Sequence, residues 1–556
     1  MTGFMAAHRE LLDKALEAAI TRGYWSAYPE IPSGKIYGET AKADAEAAFK
    51  DMLGKPFDLD QPTTGGRLGK EVSPYGFDLA IGYPALTVGA AIEAADAAAP
   101  AWARAGIDER AGVCLEILHR LNKASFLMAM AVMHTSGQAF MMAFQAGGPH
   151  AQDRGLEAVA YAYDEMTRIP AAAVWEKPQG KADPLVLDKV YRIVPRGLAT
   201  VIGCSTFPTW NTYPGLFASL ATGNAVIVKP HPGSILPLAL TVRIGREVLA
   251  EAGFDPNVLL LLADEADAPV TRELVTDPRI SVIDFTGSPA FGRWLRENSP
   301  APAIHTEEAG VNSIVIDSTS DFRGMCQNVA FSLSLYTGQM CTAPQNVFVP
   351  KDGIDTDEGR KSFDEVTAAL AKGIDRLLSD PDRAAAVLGA VQNPATVARV
   401  DEVAGLGRVV RPSSSVEIPG FPGARTATPL ILAVDAVADE AAYTEERFGP
   451  ISFVVATAGT ADSIARAAGA AARKGAITAA LYSTDEGVVE AAADAFARAG
   501  VPLSVNLTGG IFVNQSAAFS DFHVTGANPA GNACLTDSAF VANRFRVATV
   551  RRPRVA

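Results

Sequence analysis

Cysteine is scarce in this chain, and none of its five residues (Cys114, Cys204, Cys326, Cys341 and Cys534) forms a CxxC pair with another. That excludes a disulfide framework or a thiolate zinc site and leaves reduced thiols in a cytoplasmic protein as the expectation. The seven histidines form no HxxxH pair and no carboxylate cluster has ligand spacing, so no metal is expected. Basic charge is short too: 48 Lys and Arg face 62 Asp and Glu, for a net charge of -14. An acidic surface repels phosphate backbones, so nucleic acid is not an expected partner.

A long uninterrupted apolar run is also missing. No charge stands between Arg196 and Lys229, but Pro208, Asn211, Pro214 and Asn224 break that stretch. In a bilayer their backbone groups would go unpaired, so no membrane span is expected there. A buried strand, an uncharged turn, a helix and a second strand account for it better. The N-terminus, MTGFMAAHRELLDKALEAAI, lacks a signal peptide's apolar core, and its apolar spacing predicts an amphipathic helix.

What is present is a soluble, core-forming composition, 48% hydrophobic and 20% charged over 556 residues, enough for two to four domains. Residues 1–84 read as a polar, turn-rich N-terminal extension. From 85 the pattern is helical, and 168–195 reads as an extended hairpin, a plausible arm for subunit contacts. Apolar strands then alternate with helices: GLATVIGCS, GNAVIVKP, NVLLLLAD and ISVIDFTGS. A second alternating set runs from NSIVID to AALYST. Such alternation predicts α/β architecture with two doubly wound sheets. We place a dinucleotide-binding domain at 85–311, a catalytic domain at 312–525 and a C-terminal oligomerisation segment at 526–556.

Three residue types carry complementary chemistry. Cys341, in TGQMCTAPQ, offers a nucleophile, and a helix N-terminus there would favour its thiolate. Asn211, in the turn FPTWNTYPG, offers an amide donor for an oxyanion. Glu307 or Glu308, in HTEEAGVNS, offers a general base, and chemistry alone does not separate them. DFTGSPAFG ends a strand with Gly287 and Ser288, small residues that let a backbone approach a phosphate. Its spacing resembles a P-loop, but Arg293-Trp294 stands where Lys-Ser/Thr is required, so an ATPase reading fails. No GxGxxG follows a strand, so a dinucleotide site would be of a non-standard kind. Lys229 ends the strand AVIVK, where α/β sheets bind ligands, and Glu446 and Phe448 lie in the turn TEERFGP.

Taken together, FPTWNTYP, VIVKP, FTGSPAFG, GQMC and EERFGP occur in the order found in the aldehyde dehydrogenase superfamily, which the chain resembles from about residue 85 to 525. The resemblance implies Cys341 as nucleophile, Asn211 as oxyanion donor, and Lys229, Gly287, Ser288, Glu446 and Phe448 as cofactor contacts. The family's base motif usually reads Glu-Leu-Gly-Gly. Here it is Glu307-Glu308-Ala309-Gly310, and counting back from Asn312 gives Glu307 the base position. Pro232 stands where NAD-preferring members often carry a glutamate, and with Lys229 and His231 nearby the expectation is NADP or NAD, NADP slightly favoured.

The N-terminal region, the altered base motif and GANPAGNA (526–533) resemble the branch of phenylacetic acid degradation proteins. That implies oxidation of a small aldehyde, in this branch a coenzyme A-linked semialdehyde, to its acid through a thiohemiacetal and a thioester, by a homodimer or homotetramer. The alternatives are a coenzyme A-acylating dehydrogenase, whose members usually lack the base carboxylate, and a non-catalytic scaffold of the same fold.

Overall fold

The computed structural model describes residues 3–308, 310–523 and 537–554. The GANPAGNA segment and Cys534 lie outside the described residues, as does Ala309 of the base motif. Two doubly wound α/β units form as the alternation predicts. The first is a five-stranded parallel sheet, in the order Ala303–Glu308, Ile280–Gly287, Leu198–Ile202, Ala225–Lys229, Leu259–Leu261. Leu198–Ile202 and Ala225–Lys229 are buried at every position, as continuous apolar strands covered on both faces must be. Strand order reverses between Leu198–Ile202 and Ile280–Gly287, so a crevice opens beyond their carboxyl ends. The loops that open it carry Cys204 and Asn211 on one side and Gly287 and Ser288 on the other.

The second sheet has seven strands, in the order Arg408–Arg411, Leu430–Asp435, Ile451–Thr457, Asn346–Pro350, Ser313–Ile316, Ala479–Tyr482, Leu503–Val505. All neighbours are parallel except the edge strand Arg408–Arg411. Its strand ends face the same cleft as those of the first sheet, and Cys341 lies on the connection that enters Asn346–Pro350.

The expected hairpin forms from Ala172–Gln179 and Ala182–Pro195, and a C-terminal strand, Phe545–Pro553, extends it to three strands. Val174, Trp175, Leu185, Val190, Val547 and Val550 are exposed on this arm.

Residues 3–84 are woven into the first body. Helix Gly3–Thr21 buries Met5, Leu12, Ala15 and Ala18 in the core that holds the first sheet. It approaches Ile107–Lys123 so closely that a Cβ at Gly112 would lie 2.6 Å from the Met5 nitrogen. The Gln61 amide pairs with both backbone groups of Leu261, at 2.9 and 3.0 Å, and so covers the edge strand. Glu71 accepts from the Leu236 amide at 3.1 Å, at the start of helix Leu236–Glu251. Among the described residues, no single helix is long and apolar enough to cross a membrane.

Candidate active site

The approach to Cys341 is backbone of an uncommon kind. Tyr336, Thr337 and Gly338 all have positive φ, at 51, 54 and 63°, a left-handed bend that non-glycine residues hold only under constraint. The constraints are present. Thr337 Oγ1 donates to the Leu388 carbonyl at 2.9 Å, the Gln339 amide donates to the Ala390 carbonyl at 3.0 Å, and the Tyr336 hydroxyl donates to the Ser136 carbonyl. Gly338 meets Gly449 back to back, where a Cβ would come within 2.4 Å of the Gly449 carbonyl oxygen. Beyond the bend, Asn312 Nδ2 donates to the carbonyls of Cys341 and Ala343, at 2.7 and 2.9 Å. The expectation of a helix N-terminus at Cys341 is therefore corrected: the thiol sits in a turn that runs into strand Asn346–Pro350. No helix favours its thiolate there. Burial first, then the nearby Glu307 carboxylate, push the Cys341 thiol well above its ordinary value, so it rests protonated.

Asn211 also differs from its expected setting. It lies in the first turn of helix Pro208–Ala221 rather than in a free turn, because Pro208 takes the opening position, where its missing N–H costs nothing. The buried side chain is oriented by Cys204, whose thiol donates to Asn211 Oδ1 at 3.6 Å. Among the described residues, neither Asn211 Nδ2 nor Glu307 Oε2 has a partner within hydrogen-bond distance. A buried donor left unmade costs about 1–3 kcal/mol, so its persistence marks a place for an incoming acceptor.

The two adjacent glutamates have different surroundings. Glu308 accepts from Arg296 and from Thr306 Oγ1, the latter at 2.9 Å, and Arg296 holds it away from the cleft. Glu307 lines the cleft, with Oε2 unpartnered and Oε1 paired to His523 Nε2 at 2.9 Å. Burial is the largest influence on this carboxyl and raises it. The charge and hydrogen bond of His523, with smaller help from Cys341 and Asn211, outweigh that and bring it below the usual value. His523 escaped the sequence reading because 182 residues separate it from Cys341 and no motif surrounds it; its Nε2 is 4.0 Å from Sγ. Donor atoms of Glu307, Cys341 and His523 lie within 4.8 Å of one another.

The rest of the cleft is fitted for a dinucleotide. Lys229 Nζ donates to Asp264 Oδ1 at 2.6 Å and to the Pro230 carbonyl at 2.7 Å, which leaves one of its three donors for a ligand. Gly287 closes its strand where a Cβ would strike the Phe285 ring at 2.5 Å, so only glycine leaves this surface open. Ser288 caps helix Pro289–Asn298, its hydroxyl accepting from the Phe291 amide, and both residues line the cleft. The turn with Glu446 and Phe448 is fixed by Arg399, which donates to the Phe448 carbonyl at 2.6 Å, and by Gln345, which accepts from the Arg447 amide at 2.6 Å. Burial pushes the Glu446 carboxyl up to about 7, against the pull of Arg399. His231 is exposed beside this site, and its Nδ1 accepts from the Gly233 amide at 3.1 Å.

One cleft of about 760 Å³ therefore gathers all eight residues singled out from the sequence: Cys341, Glu307 and Asn211, and with them Lys229, Gly287, Ser288, Glu446 and Phe448. Such a set can attack a carbonyl, hold the resulting oxyanion and activate water beside a bound dinucleotide.

Comparison with known proteins identifies the family and the fold. Residues 83–521 match the sequence profile of the aldehyde dehydrogenase family. The fold superposes with a TM-score of 0.98 on an NAD-dependent aldehyde dehydrogenase from Burkholderia multivorans, 58% identical, with 100% of both chains covered. An N-succinylglutamate 5-semialdehyde dehydrogenase from Paraburkholderia xenovorans is 28% identical over 66% of this chain and 70% of its own length. A benzaldehyde dehydrogenase that uses NAD(+), from Pseudomonas putida, is 27% identical over 56% of this chain and 60% of its own length.

Proposed function

The chain belongs to the aldehyde dehydrogenase family of enzymes, and from that premise we propose that it oxidises an aldehyde to a carboxylic acid through a thioester on Cys341. The observation that carries this reading is the convergence of a thiol, an unpartnered amide nitrogen and an unpartnered carboxylate oxygen in one cleft.

In this mechanism the Cys341 proton passes to Glu307 and the sulfur attacks the aldehyde carbon. The new oxyanion accepts from Asn211 Nδ2, a donor already desolvated and aimed, and from the Cys341 backbone N–H. A nicotinamide dinucleotide held by Lys229, the Gly287-Ser288 turn, Glu446 and Phe448 supplies the two-electron acceptor. Collapse of the oxyanion leaves a thioester on Cys341. Glu307, having lost the thiol's proton to solvent, takes a second proton from water, which attacks the acyl carbon and frees the acid. The sum is aldehyde, water and oxidised dinucleotide going to acid, reduced dinucleotide and a proton.

The finer assignments follow the same reading. The substrate is a coenzyme A-linked semialdehyde, as resemblance to the phenylacetic acid degradation branch implies. Both NAD and NADP are accepted: Pro232 removes the carboxylate that would repel a 2′-phosphate, while Lys229 is already bound to Asp264. Exposed apolar residues on the three-stranded arm support a homodimer or homotetramer. The general base distinguishes this enzyme from coenzyme A-acylating relatives, because Glu307 provides for water.

The test follows reduced dinucleotide with a panel of aldehydes, including coenzyme A-linked semialdehydes, and identifies the product with and without free coenzyme A. Wild type should turn over to the acid. Cys341→Ala should be inactive, and Glu307→Gln should give at most one slow turnover per site, faster at alkaline pH where Cys341 ionises unaided, and then stop. An acyl-coenzyme A product that appears only when free coenzyme A is supplied would replace hydrolysis with acyl transfer. No turnover with any aldehyde would favour a scaffold.

A further inference from the structure

The cleft explains why Cys341, Asn211 and Glu307 face a substrate, but it leaves out the group behind Glu307. His523 is 2% exposed and does not line the cleft, yet its imidazole touches two of the residues that do. Nε2 is 2.9 Å from Glu307 Oε1 and 4.0 Å from Cys341 Sγ. The ring is held edge-on by Trp210, with centroids 4.8 Å apart at 70°, and the Arg154 guanidinium covers Trp210 at 5.3 Å. Trp210 precedes Asn211 on the same helix, so the imidazole is locked to the element that carries the oxyanion donor.

Among the described residues, the charged and titratable groups around this point are few. Glu307 and Cys341 are in direct reach, Cys204 acts on both from the neighbouring loop, and Arg154 stands across Trp210. Glu307 is 4% exposed. A carboxyl so buried would keep its proton and could accept none from a thiol, unless a donor favoured the anion. The imidazole is that donor. By engaging Oε1 alone it leaves Oε2 unpartnered.

Resting on the reading of Cys341 as the nucleophile, we propose that His523 is a positioning residue that keeps Glu307 ionised and turned toward the thiol, so that thiol, carboxylate and imidazole act as one proton-sharing cluster. The S–H bond breaks, its proton moves to Glu307 Oε2, and the electron pair remains on sulfur for attack on carbon. Singly deprotonated, the cluster exchanges thiol-plus-carboxylate for thiolate-plus-acid without taking a proton from solvent. The reactive form therefore persists at neutral pH, although burial disfavours a free thiolate.

The sign of the pH effect follows. Reactivity of Cys341 falls on the acid side only when the cluster takes up its first proton. Without the imidazole, burial of Glu307 raises the pH at which that happens.

The experiment is alkylation of Cys341 by iodoacetamide without substrate, followed on the Cys341 peptide by mass spectrometry from pH 5 to 9. Wild type, His523→Phe, His523→Gln and Glu307→Gln are compared, with melting temperature and NAD binding as controls. In His523→Phe the acid limb should move up by about one pH unit or more, which is ~10-fold slower alkylation at a fixed pH on that limb. His523→Gln keeps a donor of similar reach and should recover much of the rate. Glu307→Gln should lose the neutral plateau. Wild-type alkylation at every pH in both His523 variants would overturn the proposal, as would equal loss in both with NAD binding intact. Because no aldehyde is present, the result stands apart from the proposed turnover: failure of every aldehyde would strike the function and leave this profile readable.

Discussion

Among the described residues, the inner groups, Asn211 Nδ2 and Glu307 Oε2 beside Cys341, are buried without partners within hydrogen-bond distance, whereas the outer groups are engaged: Lys229 is already bound to Asp264 and Ser288 already caps a helix. The inner groups are buried with only weak polar contacts to one another and to Cys341 in return, a cost of up to about 1–3 kcal/mol for each. They are recompensed only when charge develops beside them, so their contribution belongs to the rate. The outer groups are satisfied before any ligand arrives and present one spare donor, backbone amides and an open glycine surface. They contribute to affinity and to the stability of the fold. The backbone repeats the contrast: the bend Tyr336–Gly338 is held in left-handed conformation beside the thiol, while strand Ala225–Lys229 is regular to its last residue.

The sharpest way to break this contrast is Asn211→Ala. If the amide waits for an oxyanion, its loss should lower kcat by roughly a hundred- to a thousandfold. KM for the dinucleotide should change little, and the melting temperature should hold or rise, because an unmade buried donor disappears. Steady-state kinetics and thermal denaturation check this together. A falling melting temperature with kcat intact would make Asn211 a structural residue of its helix.

Lys229→Met is the counterpart among the outer groups and should act in the opposite columns. Asp264 would be left buried without its cation, which costs about 3–5 kcal/mol of stability when one partner of a buried pair is removed. Direct titration of dinucleotide should show weaker binding by about tenfold for the loss of one charged hydrogen bond. Single-turnover chemistry at saturating cofactor should stay within a few-fold. The double variant Lys229→Met/Asp264→Leu should recover stability without recovering affinity, which separates the two contributions.

How much of this was legible beforehand differs between the same two sets. Lys229, Gly287, Ser288, Glu446 and Phe448 could be found because each sits at a strand end or in a turn whose local pattern announces it. Cys341, Asn211 and Glu307 could be found by residue type, but not their settings. FPTWNTYPG reads as a turn because prolines at 208 and 214 bracket it, yet Pro208 begins a helix and Pro214 lies within its first two turns. TGQMCTAPQ suggested a helix start, and the left-handed bend before it depends on Gly449, Leu388 and Ala390, which are distant in sequence. The choice between Glu307 and Glu308 turns on Arg296, which no local pattern ties to either. His523 illustrates the limit: a lone histidine gains meaning only when folding brings it to Glu307.

The smallest predicted effect concerns Glu446, which departs from the rule that outer groups are satisfied. Its carboxyl is half-buried near Arg399, accepts no hydrogen bond from the described residues, and is pushed up to about 7. As a ligand for ribose hydroxyls it must be ionised to accept from both, so binding favours the deprotonated form. Affinity for NAD should then rise as pH increases through about 7 and level off above it, a change of about threefold to tenfold between pH 6 and 8. Calorimetric titration at several pH values checks this, and Glu446→Gln should flatten the curve. The same shift has a second reading with an opposite sign. A carboxyl whose folded value lies above its unfolded one favours the folded state at low pH, and that advantage disappears as pH rises from the ordinary carboxylate range through about 7. Glu446→Gln should therefore be more stable than wild type at pH 8, with the difference vanishing only below the ordinary carboxylate range, at about pH 4. A variant that loses affinity equally at every pH would place Glu446 among the groups that act by shape and would leave the outer groups uniform.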